Sequence, residues 1–90
     1  MTERIIVHGR VQGVGFRAFT CGLGESLGMD GAVWNTRSGD VEILARHTSP
    51  DVFTEFEVKL KHGPGHVKSI IRSSEIETDL GPGFEIRETR

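Results

Sequence analysis

Apolar and polar positions alternate from the start of the chain. In residues 3–10, ERIIVHGR, Ile5 and Val7 fall on one side and Arg4, Ile6 and His8 on the other, a period of two that predicts a strand. A glycine-punctuated loop, 11–16 (VQGVGF), interrupts the alternation. From Arg17 to about Leu27 the period lengthens. Phe16, Phe19, Leu23 and Leu27 recur at three and four, one face of a helix, and Gly28 is placed to stop it. Strand spacing returns in GAVWNT (31–36) and DVEILARH (40–47), joined at Arg37-Ser38-Gly39 as a hairpin. Thr48-Ser49-Pro50-Asp51 opens a second helix: Thr48 or Ser49 can cap it, and Pro50 suits the first turn. Val52, Phe53, Phe56 and Leu60 form its buried stripe, and Gly63-Pro64-Gly65 ends it. Residues 67–78 predict a long, less regular strand, Gly81-Pro82-Gly83 a turn, and FEIRE (84–88) a short final strand.

This order predicts an α+β sandwich, with two helices packed on one face of a mostly antiparallel sheet of four to five strands. Ninety residues suffice for one domain, 1–90, with a modest core. The single cysteine, Cys21, excludes an internal disulfide. No apolar run approaches the roughly 20 residues needed to cross a bilayer, and Met1–Val7 lacks the features of a signal peptide. A cytoplasmic monomer with no membrane partner is expected.

The formal net charge is −2, which argues against a nucleic-acid partner, because phosphate neutralisation needs a basic surplus. Arg4, Arg10 and Arg17 nevertheless fall in the first 17 residues against one acid, Glu3. A small basic pocket suits a small anionic ligand better than a polyanion.

The segment RVQGVGFR, from Arg10 to Arg17, joins a strand directly to a helix N-terminus. Gly13 and Gly15 let the backbone approach a ligand, and successive N–H groups can converge on one anion. The helix dipole adds positive potential there, and Arg17 contributes a guanidinium that can grip two phosphate oxygens. A plain tight turn is the competing reading of the glycines. The dinucleotide pattern also fits Gly13, Gly15 and Ala18, but a hairpin follows the helix where a parallel unit is needed. No Gly-Lys-Ser/Thr follows, so this is not the nucleotide-triphosphatase loop.

VHGRVQGVGFR, followed by GAVWNTRSGDVEI, resembles the acylphosphatase family. The likeness extends to LKHGPGHV and the closing FEIR, covering nearly the whole chain. It implies a ferredoxin-like sandwich and hydrolysis of small acyl phosphates. Arg17 and Asn35 match the family's catalytic arginine and asparagine, and Gln12, Gly13, Val14, Gly15 and Phe16 its backbone cradle. Three departures stand out. Ala32 precedes the strand valine where tryptophan is frequent, with Trp34 beside Asn35; the hairpin turn is Ser38-Gly39-Asp40; and helix one carries Gly22 and Gly24. Each of those glycines should cost roughly 1 kcal/mol against alanine, so both Gly22→Ala and Gly24→Ala are expected to stabilise.

Few groups are needed for the chemistry. The leaving group of an acyl phosphate is a carboxylate, stable without protonation, so neither a general acid nor a metal or other cofactor is expected. Arg17 and the loop N–H groups can stabilise charge, and Asn35 can orient water through its amide. Capping of the hairpin turn is the plain alternative for Asn35. His62 and His66 lack partners for zinc. Cys21 is expected to be a buried thiol, His8 a packing or surface residue, and Trp34 core material that can line the mouth of the site. The acids at 75, 77, 79, 85 and 88 are expected on a solvated edge. Two other functions compete: a carbamoyl-phosphate-handling module of a larger hydrogenase-maturation protein, and a non-catalytic anion- or RNA-binding ferredoxin-like module. The latter should stack bases on strand aromatics, which RIIVH and DVEILARH lack.

Overall fold

The structure, a computed structural model, describes residues 1–76 and 79–90. The elements run β1 (Thr2–Arg10), α1 (Phe16–Ser26), β2 (Asp30–Asn35), β3 (Val41–Arg46), α2 (Pro50–Leu60), β4 (His66–Glu75) and β5 (Phe84–Ile86). They build one five-stranded sheet in the order β4-β1-β3-β2-β5. All neighbours are antiparallel except β2 and β5, which run parallel. Two helices on one face of a mixed sheet make the ferredoxin-like α+β fold expected.

Strand alternation divides the side chains between two faces. Ile5 and Val7 of β1 sit opposite Ile43 and Val41 of β3, and with Val33 they meet Phe16 of α1 and Phe53, Phe56 and Leu60 of α2 in the main core. The other face carries a smaller cluster of Ala32, Trp34, Leu44 and Leu80. Arg72 of β4 clamps the helix layer to the sheet, donating to both Glu3 oxygens at 2.7 and 3.0 Å and to Glu57 of α2 at 2.9 Å. The hydrogen bond from Arg72 holds the Glu57 carboxyl below the usual carboxylate range.

Several local expectations change. The most buried line of α1 is Phe16, Thr20 and Gly24, while Phe19, Leu23 and Leu27 pack only partly against the core. An apolar count overlooks the small residues at the centre of that face, where Phe84 presses closest. Neither Thr48 nor Ser49 caps α2 through its side chain. The Ser49 N–H donates to His47 Nδ1 at 2.9 Å instead. Of the long strand expected over 67–78, β4 accounts for the part to Glu75, and positions 77 and 78 lie outside the described residues. The last strand ends at Ile86, but the chain beyond stays tied to β2: Arg87 N–H donates to Val33 O at 2.8 Å and Arg90 N–H to Asn35 O at 2.9 Å. Glu75 is not simply solvated: Arg4 bonds its carboxylate at 2.7 Å and lowers its pKa.

Candidate active site

The site forms where β1 gives way to α1. Two glycines with left-handed backbone angles, Gly13 (φ 74°) and Gly15 (φ 85°), turn the chain, and α1 begins at Phe16. Side chains other than glycine avoid that region, which accounts for the spacing. Val11 and Phe16, each 1% exposed, pin the two ends of the loop into the core. No side chain caps the helix start, and its first turn carries no acid. The amino-terminal N–H groups thus keep their positive potential.

Gln12 binds the loop to the β2–β3 hairpin. Its Nε2 donates to Thr36 O at 2.7 Å and to Asp40 O at 2.9 Å. Asn35 ends β2 just before that turn, its side chain on the helix side of the sheet. Asn35 Oδ1 is the buried side-chain oxygen that has no hydrogen-bond partner among the described residues. Asn35 therefore does not serve as a turn cap through this oxygen. Arg17 reaches from α1 to the residue after β5, its Nη1 donating to Arg87 O at 3.3 Å.

A cavity of about 180 Å³ brings these groups together, lined by Val11, Gly13, Gly15, Phe16, Arg17, Ala18, Asn35 and Ile86. No acid lines it. Of the expected cradle, Gly13, Gly15, Phe16 and Arg17 reach the cavity. Gln12 turns its side chain to the hairpin, and Val14 lies exposed beside Gly65. Ala18, Ile86 and the Arg87 carbonyl escaped the sequence reading. One signal was available for Ile86: with Phe84 assigned to the core, strand alternation puts Ile86 on the same side.

Trp34 does not line this mouth. Its neighbour Asn35 faces the helices, so Trp34 must face the other way. It is buried there under the guanidinium groups of Arg90 and Arg87, 4.9 and 5.9 Å from its ring centre. It belongs to a larger concavity of about 630 Å³ on the open face, which holds none of the loop residues. There Arg4 pairs with Glu42, and His8 at the rim pairs with Asp40. Cys21 donates to Phe84 O at 3.1 Å; burial first, then Glu25, pushes its thiol pKa up, away from nucleophile chemistry.

Residues 3–86 match the sequence profile of a family described as Acylphosphatase. The chain belongs to the acylphosphatase family. It is 44% identical over 87 residues to the acylphosphatase of Vibrio cholerae serotype O1, covering 93% of each chain. The crystal structure of an acylphosphatase from Bacillus subtilis superposes with a TM-score of 0.87 at 34% identity, over 96% of this chain and 97% of that one. T. kodakarensis HypF matches at 25% identity with a TM-score of 0.77, over 98% of this chain but only 12% of its own length. The family and the enzyme class expected from the loop and hairpin motifs therefore hold.

Proposed function

We propose that this acylphosphatase-family chain hydrolyses small acyl phosphates to a carboxylate and inorganic phosphate by direct attack of water on phosphorus. The observation that carries this reading is the unsatisfied Asn35 Oδ1, buried in the same cavity as Arg17 and the uncapped start of α1. A buried acceptor without a partner costs about 1–3 kcal/mol, a cost that a water held there would offset.

In this mechanism the N–H groups of Gln12, Gly13, Val14, Gly15 and Phe16 and the Arg17 guanidinium hold the phosphoryl oxygens. A cation at a helix N-terminus opposes the dipole, and an anion between them resolves the conflict. Asn35 accepts a hydrogen bond from the attacking water and aims it at phosphorus. The new bond is oxygen to phosphorus. The bond to the bridging oxygen breaks, its electron pair leaves with the carboxylate, and the water's protons pass to phosphate and solvent. A neutral amide is a poor base, so Asn35 orients the water and does not deprotonate it. The loose transition state gains mainly from positioning and charge stabilisation. Nothing in these steps calls for a metal, and the reading is of a cytoplasmic monomer.

A second reading, a carbamoyl-phosphate-handling module of a larger protein, draws on the partial match to HypF. Carbamoyl phosphate is itself an acyl phosphate, so the same cradle would serve. The test is phosphate release from benzoyl and carbamoyl phosphate under excess chelator, by the intact protein and by Arg17→Ala and Asn35→Ala. Turnover by the intact protein, with kcat at least about 100-fold lower in folded variants, supports the mechanism. An inert intact protein overturns it; carbamoyl phosphate as the one substrate turned over favours the second reading.

A further inference from the structure

Beyond β5 the chain leaves the regular ladder. Between the Arg87 N–H bond to Val33 O and the Arg90 N–H bond to Asn35 O, this strap advances three residues, from 87 to 90, while β2 advances two, from 33 to 35. An even parallel ladder advances both sides by two, so one extra residue is inserted here. The insertion decides where two side chains go. Positions 87 and 90 would point to opposite faces of an even strand. With the extra residue both guanidinium groups lie over one ring, that of Trp34, at 5.9 and 4.9 Å from its centre. Trp34 is 4% exposed and is fixed on the open face with Ala32, Leu44 and Leu80. Glu85 steadies Arg87 at 3.1 Å. Arg90 pairs with no acid among the described residues, and its guanidinium rests on the ring.

The main chain of the same strap meets the two groups proposed for the reaction. The Arg87 carbonyl accepts from Arg17 Nη1 at 3.3 Å, and Arg90 N–H holds the main-chain oxygen of Asn35 at 2.9 Å. Arg90 O in turn accepts the Arg37 N–H at 3.0 Å, closing the strap onto the hairpin. We propose that Trp34 and Arg90 are positioning residues: their stack on the open face holds the 87–90 strap, and the strap holds Arg17 and Asn35 in register with each other. This rests on the hydrolytic activity proposed above and adds the support of its two catalytic groups. A cation over an indole face is attracted by the ring quadrupole and needs no buried counter-charge. A misplacement of about 1 Å in a reacting group can cost about 100-fold in rate. A strap that loses its stack but keeps its main-chain bonds should cost less, about tenfold.

The test measures kcat and KM on benzoyl phosphate, and inhibition by inorganic phosphate, for the intact protein, Arg90→Gln, Arg90→Lys, Trp34→Leu and Trp34→Phe. Arg37→Gln is the control, since it removes a guanidinium from the same concavity and leaves the main-chain bond to Arg90 in place. Thermal melts confirm that each variant is folded at the assay temperature. The expected result is a kcat about tenfold lower in Arg90→Gln, with the phosphate inhibition constant within about twofold, because the Asn35 end of the strap is the one released. Trp34→Leu frees both ends and should lower kcat about tenfold while raising the phosphate inhibition constant at least about threefold. Arg90→Lys keeps a cation and Trp34→Phe keeps a ring, so both should return to within about threefold of the intact protein. Arg37→Gln should stay within about twofold. If Trp34→Leu does not fold, the two Arg90 variants make the comparison alone. A kcat within about twofold of the intact protein in folded Arg90→Gln, whatever its Tm, overturns the positioning role and leaves the stack a structural contact. An equal loss in Arg37→Gln assigns the effect to lost positive charge and overturns it too. An intact protein inert on benzoyl phosphate overturns the activity and the positioning role together.

Discussion

Gly24 of α1 lies flat against the ring of Phe84. A Cβ added at Gly24 would stand 2.5 Å from Cε2 of that ring and closer still to Cδ2. Gly31 of β2 presents the same ring with a second bare backbone, where an added Cβ would stand 2.5 Å from Cε2 and 2.7 Å from Cζ. Phe84 thus occupies a slot between two glycines, and its far side meets Phe56 of α2 with ring centres 6.1 Å apart. The slot sets how closely α1 approaches β2 and β5, and so where Arg17 stands relative to Asn35.

Gly22 and Gly24 should therefore respond oppositely to alanine. The position of a Cβ at Gly22 is open. Gly22→Ala gains helix propensity and should stabilise by about 1 kcal/mol, a rise in Tm of about 4–8 °C. Gly24→Ala must displace a packed ring and should cost about 1–3 kcal/mol despite the same propensity gain. Thermal melts of the two variants check this. The expectation that both substitutions stabilise fails at Gly24, because a helix propensity does not contain Phe84.

That failure marks the boundary of what residue patterns carry. Gly13, Gly15 and Arg17 are legible because the loop and the helix start are contiguous, so the spacing alone converges their backbone and charge. Asn35 is legible as a strand residue at a hairpin, and its motif supplies the rest. The opposite facing of Trp34 was also available, since neighbours in a strand cannot share a face. The slot around Phe84, the parallel pairing of β5 with β2 and the Arg17–Arg87 bond are different. Each joins residues distant in the chain, and a three-residue strand has too little pattern to reveal its partner.

Gln12 is expected to couple stability to activity. Gln12→Ala removes the two side-chain bonds to Thr36 O and Asp40 O that hold the loop between β1 and α1 against the hairpin bearing Asn35. The loss should be about 1–2 kcal/mol, since the Thr36 N–H still reaches Asp40 O at 2.9 Å. Looser registry between loop and hairpin should lower kcat/KM about tenfold. Gln12→Glu should be worse on both counts, because it turns acceptors toward two carbonyls. A lower Tm with unchanged kcat/KM would confine Gln12 to holding the fold.

Acid should weaken the Arg72 clamp in a defined direction. The Glu57 carboxyl is held below its ordinary pKa, first by the hydrogen bond from Arg72. A depressed folded pKa contributes stability above the unfolded value, about 4.3 for glutamate, and the contribution fades as pH falls through the folded value. At pH 7, Arg72→Ala should cost about 1 kcal/mol, a modest figure because the pairs are partly solvated. The Tm gap between the intact protein and Arg72→Ala should narrow as pH falls from 5 to below about 4. Asp30 and Glu75, also lowered, keep an acid dependence in both proteins. A gap constant across that range would mean that Arg72 acts through packing of its stem and not through its charge.

Asn35→Ala should separate folding from function. Asn35 Oδ1 is buried with no partner among the described residues. Removing an unsatisfied acceptor returns its desolvation cost, on the order of 1 kcal/mol, against a small loss of packing at a half-buried site. The variant should therefore melt no lower than the intact protein, while its turnover of benzoyl phosphate falls at least about 100-fold. Inorganic phosphate should still raise its Tm, because the loop and Arg17 that would hold the anion are unchanged. A variant that melts several degrees lower would instead make Asn35 a structural residue of the hairpin. Loss of the phosphate-dependent rise would place Asn35 among the groups that grip the phosphate as well as the water.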